Sequence, residues 1–502
     1  MSDTAPFPAR TFGVLLHPSS LPGPEPIGTF GVEAEEWVDW LASTGAAVWQ
    51  VLPLTINGKD ESPYFSTSAF ATNHWLIDLR ELAVAGLLDR LESPVDPAGG
   101  PIDFAAMRTW KLPLLVTAAR RFLADPTHPW RLEYDRFVTS ADWLADACHF
   151  LALQDADPGA PWWEWDEPLR RREPGAVAAS AAALAAEIER WQVLQFFAER
   201  QWQQLRRRAN AAGILVLGDI PIYVAPDSAD VWVYQDQFEL DDDGRMTAQS
   251  GVPPDYFSET GQLWGNPLYR WDVMEDDGFA WWISRLRRTL EQTDLVRIDH
   301  FRALSAYWSV PADHDTAIDG RWVPGPGQAF VDAVRSAFPD MPIIAEDLGD
   351  LDDDVLALRD RNDLVGMRVL QFGFDGDPPN DHHPSRIVER CVVYTGTHDN
   401  DTLVGWWESL GTRQRAAVRA ATGMAPRVRA RGAVWWLVGV AMRSPAIAAV
   451  VPVQDLLVLG SEARMNTPGT TVDNWMWRMP RGRLTSRLAR DVRTLVDATR
   501  RS

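Results

Sequence analysis

Three acidic segments carry the residue types from which catalysis is most readily built: Arg297-Ile298-Asp299-His300, Ala345-Glu346-Asp347 and Thr397-His398-Asp399-Asn400. Each follows a short apolar run: Leu295-Val296, Pro342-Ile343-Ile344 and Val392-Val393-Tyr394. A fourth acid, Asp219, follows Ile214-Leu215-Val216-Leu217. The chemistry that suits such a set is cleavage of a glycosidic bond, in which one carboxylate attacks or stabilises the anomeric carbon while a second carboxyl group holds a proton for the leaving oxygen. Asp299 stands two residues beyond Arg297, on the same face of a strand, and a guanidinium there favours the ionised acid a nucleophile needs. Glu346 is approached through Ile343-Ile344-Ala345, and dry surroundings keep a carboxyl protonated, as a general acid and then base requires. Asp399, beside His398, is suited to hydrogen-bonding sugar hydroxyls and distorting the ring. His300 and His398 lack His-x-x-x-His or Cys-x-x-Cys spacing, so neither a metal nor a cofactor is expected. Ser19, Ser20 and Ser62 lack a Gly-x-Ser-x-Gly context for a serine nucleophile.

Continuous apolar runs ending in acids read as strands buried on both faces. In a parallel barrel such ends converge on one rim. Eight strands are predicted, near 12–16, 48–53, 214–220, 294–299, 341–346, 367–372, 391–396 and 455–459. The expected fold is α/β, a (β/α)8 TIM barrel without a C-terminal β-sandwich. Residues 1–78 start the barrel. Residues 79–189, rich in alanine, arginine and tryptophan with repeated proline breaks, read as a mostly helical insertion between early strands. Residues 190–502 complete the barrel. Helices are predicted over 32–43, 179–212 and 483–501, the last amphipathic and packed on the exterior.

A chain of 502 residues buries a large core, and no run of eighteen apolar residues marks a membrane span. The formal charge of −22 repels nucleic acid and anionic membranes but not a neutral substrate. The N-terminal residues show no basic region followed by an apolar stretch, and Cys148 and Cys391 are the only cysteines. Both features fit a reducing cytoplasm. The 25 tryptophans are the compositional outlier. Indole rings stack on sugar faces, although most tryptophans are expected in the core.

Longer stretches carry a family likeness. They include residues 13–24 (Gly-Val-Leu-Leu-His-Pro-Ser-Ser-Leu-Pro-Gly-Pro), Ser62-Pro63-Tyr64, Pro253-Pro254-Asp255-Tyr256-Phe257-Ser258-Glu259-Thr260-Gly261-Gln262 and Trp264-Gly265-Asn266-Pro267. Arg297-Ile298-Asp299-His300-Phe301-Arg302, Ala345-Glu346-Asp347-Leu348-Gly349, Thr397-His398-Asp399-Asn400-Asp401-Thr402 and Gly460-Ser461-Glu462-Ala463-Arg464-Met465-Asn466 follow in order. With these the chain resembles the amylomaltases, the 4-α-glucanotransferases of glycoside hydrolase family 77. The resemblance implies a retaining double displacement that moves α-1,4-glucan segments between malto-oligosaccharides. An amylase-like hydrolase using the same residues is the nearest alternative. By the same likeness Asp299 is the nucleophile, Glu346 the acid/base and Asp399 the stabiliser of the distorted sugar. Tyr64, Asp219, Trp264, Asn266, Arg297, His398 and Asn466 would contact or orient glucan. Residues 251–266 would form a lid with Tyr256 and Phe257 at its tip. The stretch Asn57-Gly58-Lys59-Asp60-Glu61 departs from the family's Gly-Tyr-Gly-Asp run, with Lys59 in place of a tyrosine associated with a secondary glucan groove.

Overall fold

The computed structural model describes residue 7 and residues 9–58, 61–89, 91, 100–254, 258–349, 351–375, 378–470 and 472–501. Twelve strands are formed among them: β1 (Thr11–Leu15), β2 (Val48–Gln50), β3 (Leu215–Ile220), β4 (Ala248–Val252), β5 (Gln262–Pro267), β6 (Leu295–Ile298), β7 (Ala306–Pro311), β8 (Arg321–Pro324), β9 (Ile343–Ala345), β10 (Gly366–Val369), β11 (Cys391–Tyr394) and β12 (Ala448–Pro452). Eight run parallel in the order β10-β11-β12-β1-β2-β3-β6-β9. A parallel bridge from Ile344 to Val365, the residue before β10, closes the ring. This is the (β/α)8 barrel expected from the apolar runs.

The period of two along each strand sorts side chains between two cores. Leu15, Leu217, Leu295, Ile344, Met367, Val392 and Val450 fill the barrel interior. Phe12, Val14, Val216, Val393, Ala449 and Val451 face outward, against a helical layer that includes Trp37, Leu41, Leu437 and Val492. Continuing the inward alternation from Leu217, Leu295 and Ile344 brings Asp219, Arg297, Asp299 and Glu346 to the C-terminal rim. Acids there have both a dry floor and an open mouth.

Seven of the eight strand expectations overlap a barrel strand; the eighth is corrected. Residues 455–459 were expected as a strand, but the last barrel strand is Ala448–Pro452, and a short helix, Val453–Leu456, follows it. Both segments are apolar. What separates them is parallel pairing of Ala448–Pro452 with β1.

Between β2 and β3 lies a set of helices that includes Leu112–Ala124, Arg131–Ser140, Leu144–Ala156 and Pro174–Ala183. They enclose a separate core with Phe122, Leu151, Phe196 and Phe197. The expected helix over 179–212 is interrupted at Leu184 and resumes as Ala185–Ala211, so the expected boundary at 189/190 falls inside one helix. That helix gives Trp191, Leu194 and Phe197 to the insertion core, then Trp202, Leu205 and Ala209 to the layer around the barrel. The C-terminal helix Ser486–Thr499 is capped by Thr485, which accepts from Leu488 N. It lays Ala489, Val492 and Val496 on the same outer layer. Trp37, Trp49, Trp162, Trp202, Trp232 and Trp282 are fully buried, so much of the tryptophan excess is packing.

The remaining strands form a four-stranded antiparallel sheet, β5-β4-β7-β8. Its first hairpin is inserted between β3 and β6 and its second between β6 and β9. Residues 251–266, expected as a lid loop, take in the end of β4 (251–252) and most of β5 (262–266), the two arms of this first hairpin. Tyr256 and Phe257, named for its tip, lie outside the described residues, as does Lys59. Among the described residues no helix is long and apolar enough to cross a membrane.

Candidate active site

One guanidinium organises the rim. Arg297, on β6, sits in register with Asp219 on the neighbouring β3. Its Nη1 donates to Asp219 Oδ2 and its Nη2 to Asp299 Oδ1, both at 2.6 Å. The Asp219 side chain is fully buried, whereas that of Asp299 is 28% exposed and opens toward the mouth of the barrel. Burial pushes the Asp219 carboxyl up to about 6, and Asp299 adds to the rise, while Arg297 holds it back.

Tyr64 extends this pairing toward the opposite side. Its hydroxyl donates to Asp219 Oδ2 at 2.7 Å and lies 3.5 Å from His398 Nδ1. The two rings stack, with centroids 4.9 Å apart and planes 16° apart. His398 Nε2 lies 3.2 Å from Asp399 Oδ2, and Asn466 Nδ2 donates to Asp399 Oδ1 at 2.6 Å. Burial opposes the charge on both members of that pair. Their mutual attraction wins, raising His398 and, with Asn466, holding Asp399 down at about 2. A continuous polar chain therefore runs from Asn466 through Asp399, His398, Tyr64, Asp219 and Arg297 to Asp299. Five of the expected residues join it to two of the three acids.

Glu346 stands apart from that chain and next to its end. It follows β9, which pairs directly with β6. Its Oε2 accepts from the backbone N–H of His300, the residue after Asp299, at 2.6 Å, and its Oε1 accepts from Leu348 N at 2.9 Å. His300 presents that N–H from the left-handed region, φ 51°. Burial pushes the Glu346 carboxyl up to about 7; Arg297 opposes the rise and Asp299 adds to it. Two neighbouring acids thus occupy different environments, one bonded to a cation and open, the other dry.

The antiparallel sheet closes over this corner. Trp264, on β5, meets the His300 ring edge-on at 4.7 Å. Asn266, also expected to touch ligand, is buried and ties β5 down. Its amide donates to Val224 O at 2.8 Å and its oxygen faces Ser250 Oγ at 3.4 Å. No hydrogen bond among those of the described residues links it to the acids.

Residues 16–485 match the glycoside hydrolase 77 family, described as 4-alpha-glucanotransferase. The chain belongs to glycoside hydrolase family 77. The 4-alpha-glucanotransferase of Thermus thermophilus is 47% identical over 98% of this chain and 99% of its own length. That of Synechocystis is 44% identical, over 93% and 94%. The solved amylomaltase of Streptococcus agalactiae, in complex with acarbose, superposes with a TM-score of 0.94 at 35% identity, covering 98% of this chain and 100% of that one.

Three further residues adjoin this cluster without having been singled out from the sequence. Trp475 packs 5.8 Å from both Tyr64 and His398. Its φ is 64°, a conformation a bulky side chain adopts only when its surroundings impose it. Arg464 Nη2 donates to the carbonyl of Asp399 at 2.6 Å. His17, after β1, lines a cavity with His398, and burial together with the His398 charge lowers it to about 3. An aromatic six residues beyond Pro468-Gly469 is a weak signal for Trp475. Nothing periodic marks Arg464 or His17.

Proposed function

We propose that the protein is a 4-α-glucanotransferase that moves α-1,4-glucan segments between malto-oligosaccharides through a covalent glycosyl-enzyme. The observation that carries this reading is the Glu346 carboxyl seated on the backbone N–H next to Asp299, with the two acids held in opposite environments. In the first step Asp299 attacks the anomeric carbon of the donor, while Glu346 gives its proton to the glycosidic oxygen. The reducing-end fragment leaves, and the sugar remains as an ester of Asp299. In the second step the Glu346 carboxylate takes the proton from the hydroxyl of an incoming glucan. That oxygen attacks the anomeric carbon and Asp299 is released.

Arg297 turns one oxygen of Asp299 away from the sugar and leaves the other for attack. Asp399, His398 and Tyr64 contact the sugar at the cleavage point, Asp219 orients Tyr64 and Arg297 from beneath, and Asn466 holds Asp399 toward the sugar. Trp264 supplies an apolar wall on the acceptor side, over His300. The antiparallel sheet keeps water from the ester while the acceptor enters. The negative field and the two reduced, buried cysteines suit a cytoplasmic enzyme acting on a neutral polymer.

Incubation with maltotriose tests the reading. A ladder of longer and shorter oligosaccharides, with constant total reducing ends, is expected. Reducing ends that rise in step with substrate loss would instead make the protein a hydrolase.

A further inference from the structure

The segment after β12 grips the loop that carries Asp399. That loop leaves β11 at Thr395 and ends at Leu403, the first residue of the helix Leu403–Ser409. Asp455, 1% exposed, lies beneath it. One of its oxygens accepts from the Thr395 hydroxyl at 2.7 Å and the other from Leu403 N, also at 2.7 Å. A single carboxylate therefore ties the two ends of the loop together. Higher up, Ser461 Oγ donates to Asp401 Oδ2 at 2.7 Å, and Arg464 and Asn466 hold Asp399 itself. Arg297 and Asp299, by contrast, are anchored to β6. The alignment of Asp399 with them thus depends on how the 395–403 loop sits on its base.

The chemistry of Asp455 is not that of a packing residue. It forms no salt bridge among the described residues, and its two bonds come from a hydroxyl and a peptide N–H. Burying a carboxyl this way is costly, and an apolar side chain would fill the space better. Burial, opposed by those two bonds and reinforced by Asp401, raises it to about 7. What an apolar residue lacks is two acceptors placed to close the loop.

We infer that Asp455 is a positioning residue: by clamping the base of the 395–403 loop it places Asp399 against the sugar at the cleavage point. The inference rests on the role given to Asp399 above, and a double-mutant cycle separates the two. Maltotriose disproportionation is measured in D455A, D399N and the double variant. D455A is expected to lower kcat about 100-fold with KM changed less than about threefold. In the D399N background the same change is expected to cost less than about threefold, because the group being positioned is already disabled. D455N is expected to recover most of the activity, since its amide oxygen still accepts from Leu403 N–H and its nitrogen can donate to the Thr395 hydroxyl. If D399N alone works nearly as well as the parent, the role of Asp399 fails. If D399N is severely impaired and D455A exacts its full penalty in both backgrounds, only the positioning role is overturned. A D455N variant as inactive as D455A overturns it too. Should D455A not fold, T395V carries the test: a kcat loss of about tenfold that vanishes in D399N supports the clamp, and an additive loss rejects it.

Discussion

At the scale of single residues, the site works by giving two like groups unlike surroundings. Asp299 is bonded to a guanidinium that Asp219 shares, and Glu346 is buried against peptide N–H groups. Replacing Asp299 by Ala removes the group proposed to form the ester. Transfer is expected to fall by about 10⁴-fold or more, measured as product formed from maltotriose. In the proposed mechanism Glu346 sets the pH response. Burial lifts its carboxyl to about 7, so the protonated acid is lost as pH rises through that value. Turnover of maltotriose should decline about tenfold per unit on the alkaline side. A donor whose leaving group needs no proton should escape that decline in its first step. The same shift has a consequence for stability. A carboxyl whose folded value lies above its unfolded one favours folding fully only below the unfolded value, and that contribution is lost as pH rises through about 7. Glu346→Gln should therefore raise the melting temperature relative to the parent more at pH 8 than at pH 5, while turnover collapses and glucan binding persists. An equal melting difference at both pH values would contradict the assigned burial effect.

At the scale of elements, the barrel strands place the acids and the antiparallel sheet sets Trp264 over His300 beside them. Gly251 on β4 pairs with Leu263 across the first hairpin, and a Cβ there would lie 2.3 Å from the Gln262 carbonyl oxygen. Gly251→Ala should push β4 and β5 apart and loosen Trp264 over His300. The expected result is a larger share of hydrolysis, read as reducing ends formed per glucose transferred. An unchanged ratio would separate the hairpin from water exclusion. These elements were unequally legible in the sequence. Acids after apolar runs were readable because a strand buried on both faces leaves an unbroken apolar signature, and Asp219, Arg297, Asp299, Glu346 and Asp399 stand at such ends. The last barrel strand was misplaced because Leu456-Leu457-Val458-Leu459 looks more strand-like than Ala448-Ala449-Val450-Val451. Pairing with β1, which no local pattern encodes, decides between them. That error also hid Asp455, whose importance comes from partners sixty and fifty-two residues away in sequence. The antiparallel sheet was missed for a related reason. Its four short strands, half exposed and interrupted by glycine and proline, are stabilised by one another rather than by a local run. Asn266 was legible as a motif residue, but whether its amide faces glucan or the carbonyl of Val224 depends on tertiary packing.

At the scale of the molecule, the helical insertion is joined to the barrel by buried charge as well as by apolar contact. Lys111 Nζ donates to Glu25 Oε2 at 2.6 Å and to Ile77 O at 2.7 Å, and both ionic side chains are almost wholly buried. Glu25 belongs to the loop after β1, and Lys111 directly precedes the helix Leu112–Ala124. Burial moves both toward neutrality, lowering Lys111 and raising Glu25, and their attraction opposes it. Lys111→Met leaves a buried carboxylate without its cation and should destabilise the protein by about 3–5 kcal/mol in denaturant titrations. Adding Glu25→Gln, which keeps an acceptor for Leu79 N, should recover most of the loss; additive damage would mean that the pair is not the joint.

The helix Ala185–Ala211 carries that coupling further. One end lies in the core of the insertion and the other in the layer around the barrel, so neither region can melt without unravelling a rod that the other is holding. Calorimetry of the intact chain should accordingly record one cooperative endotherm rather than two, and a protease that nicks the insertion should release no independently folded fragment.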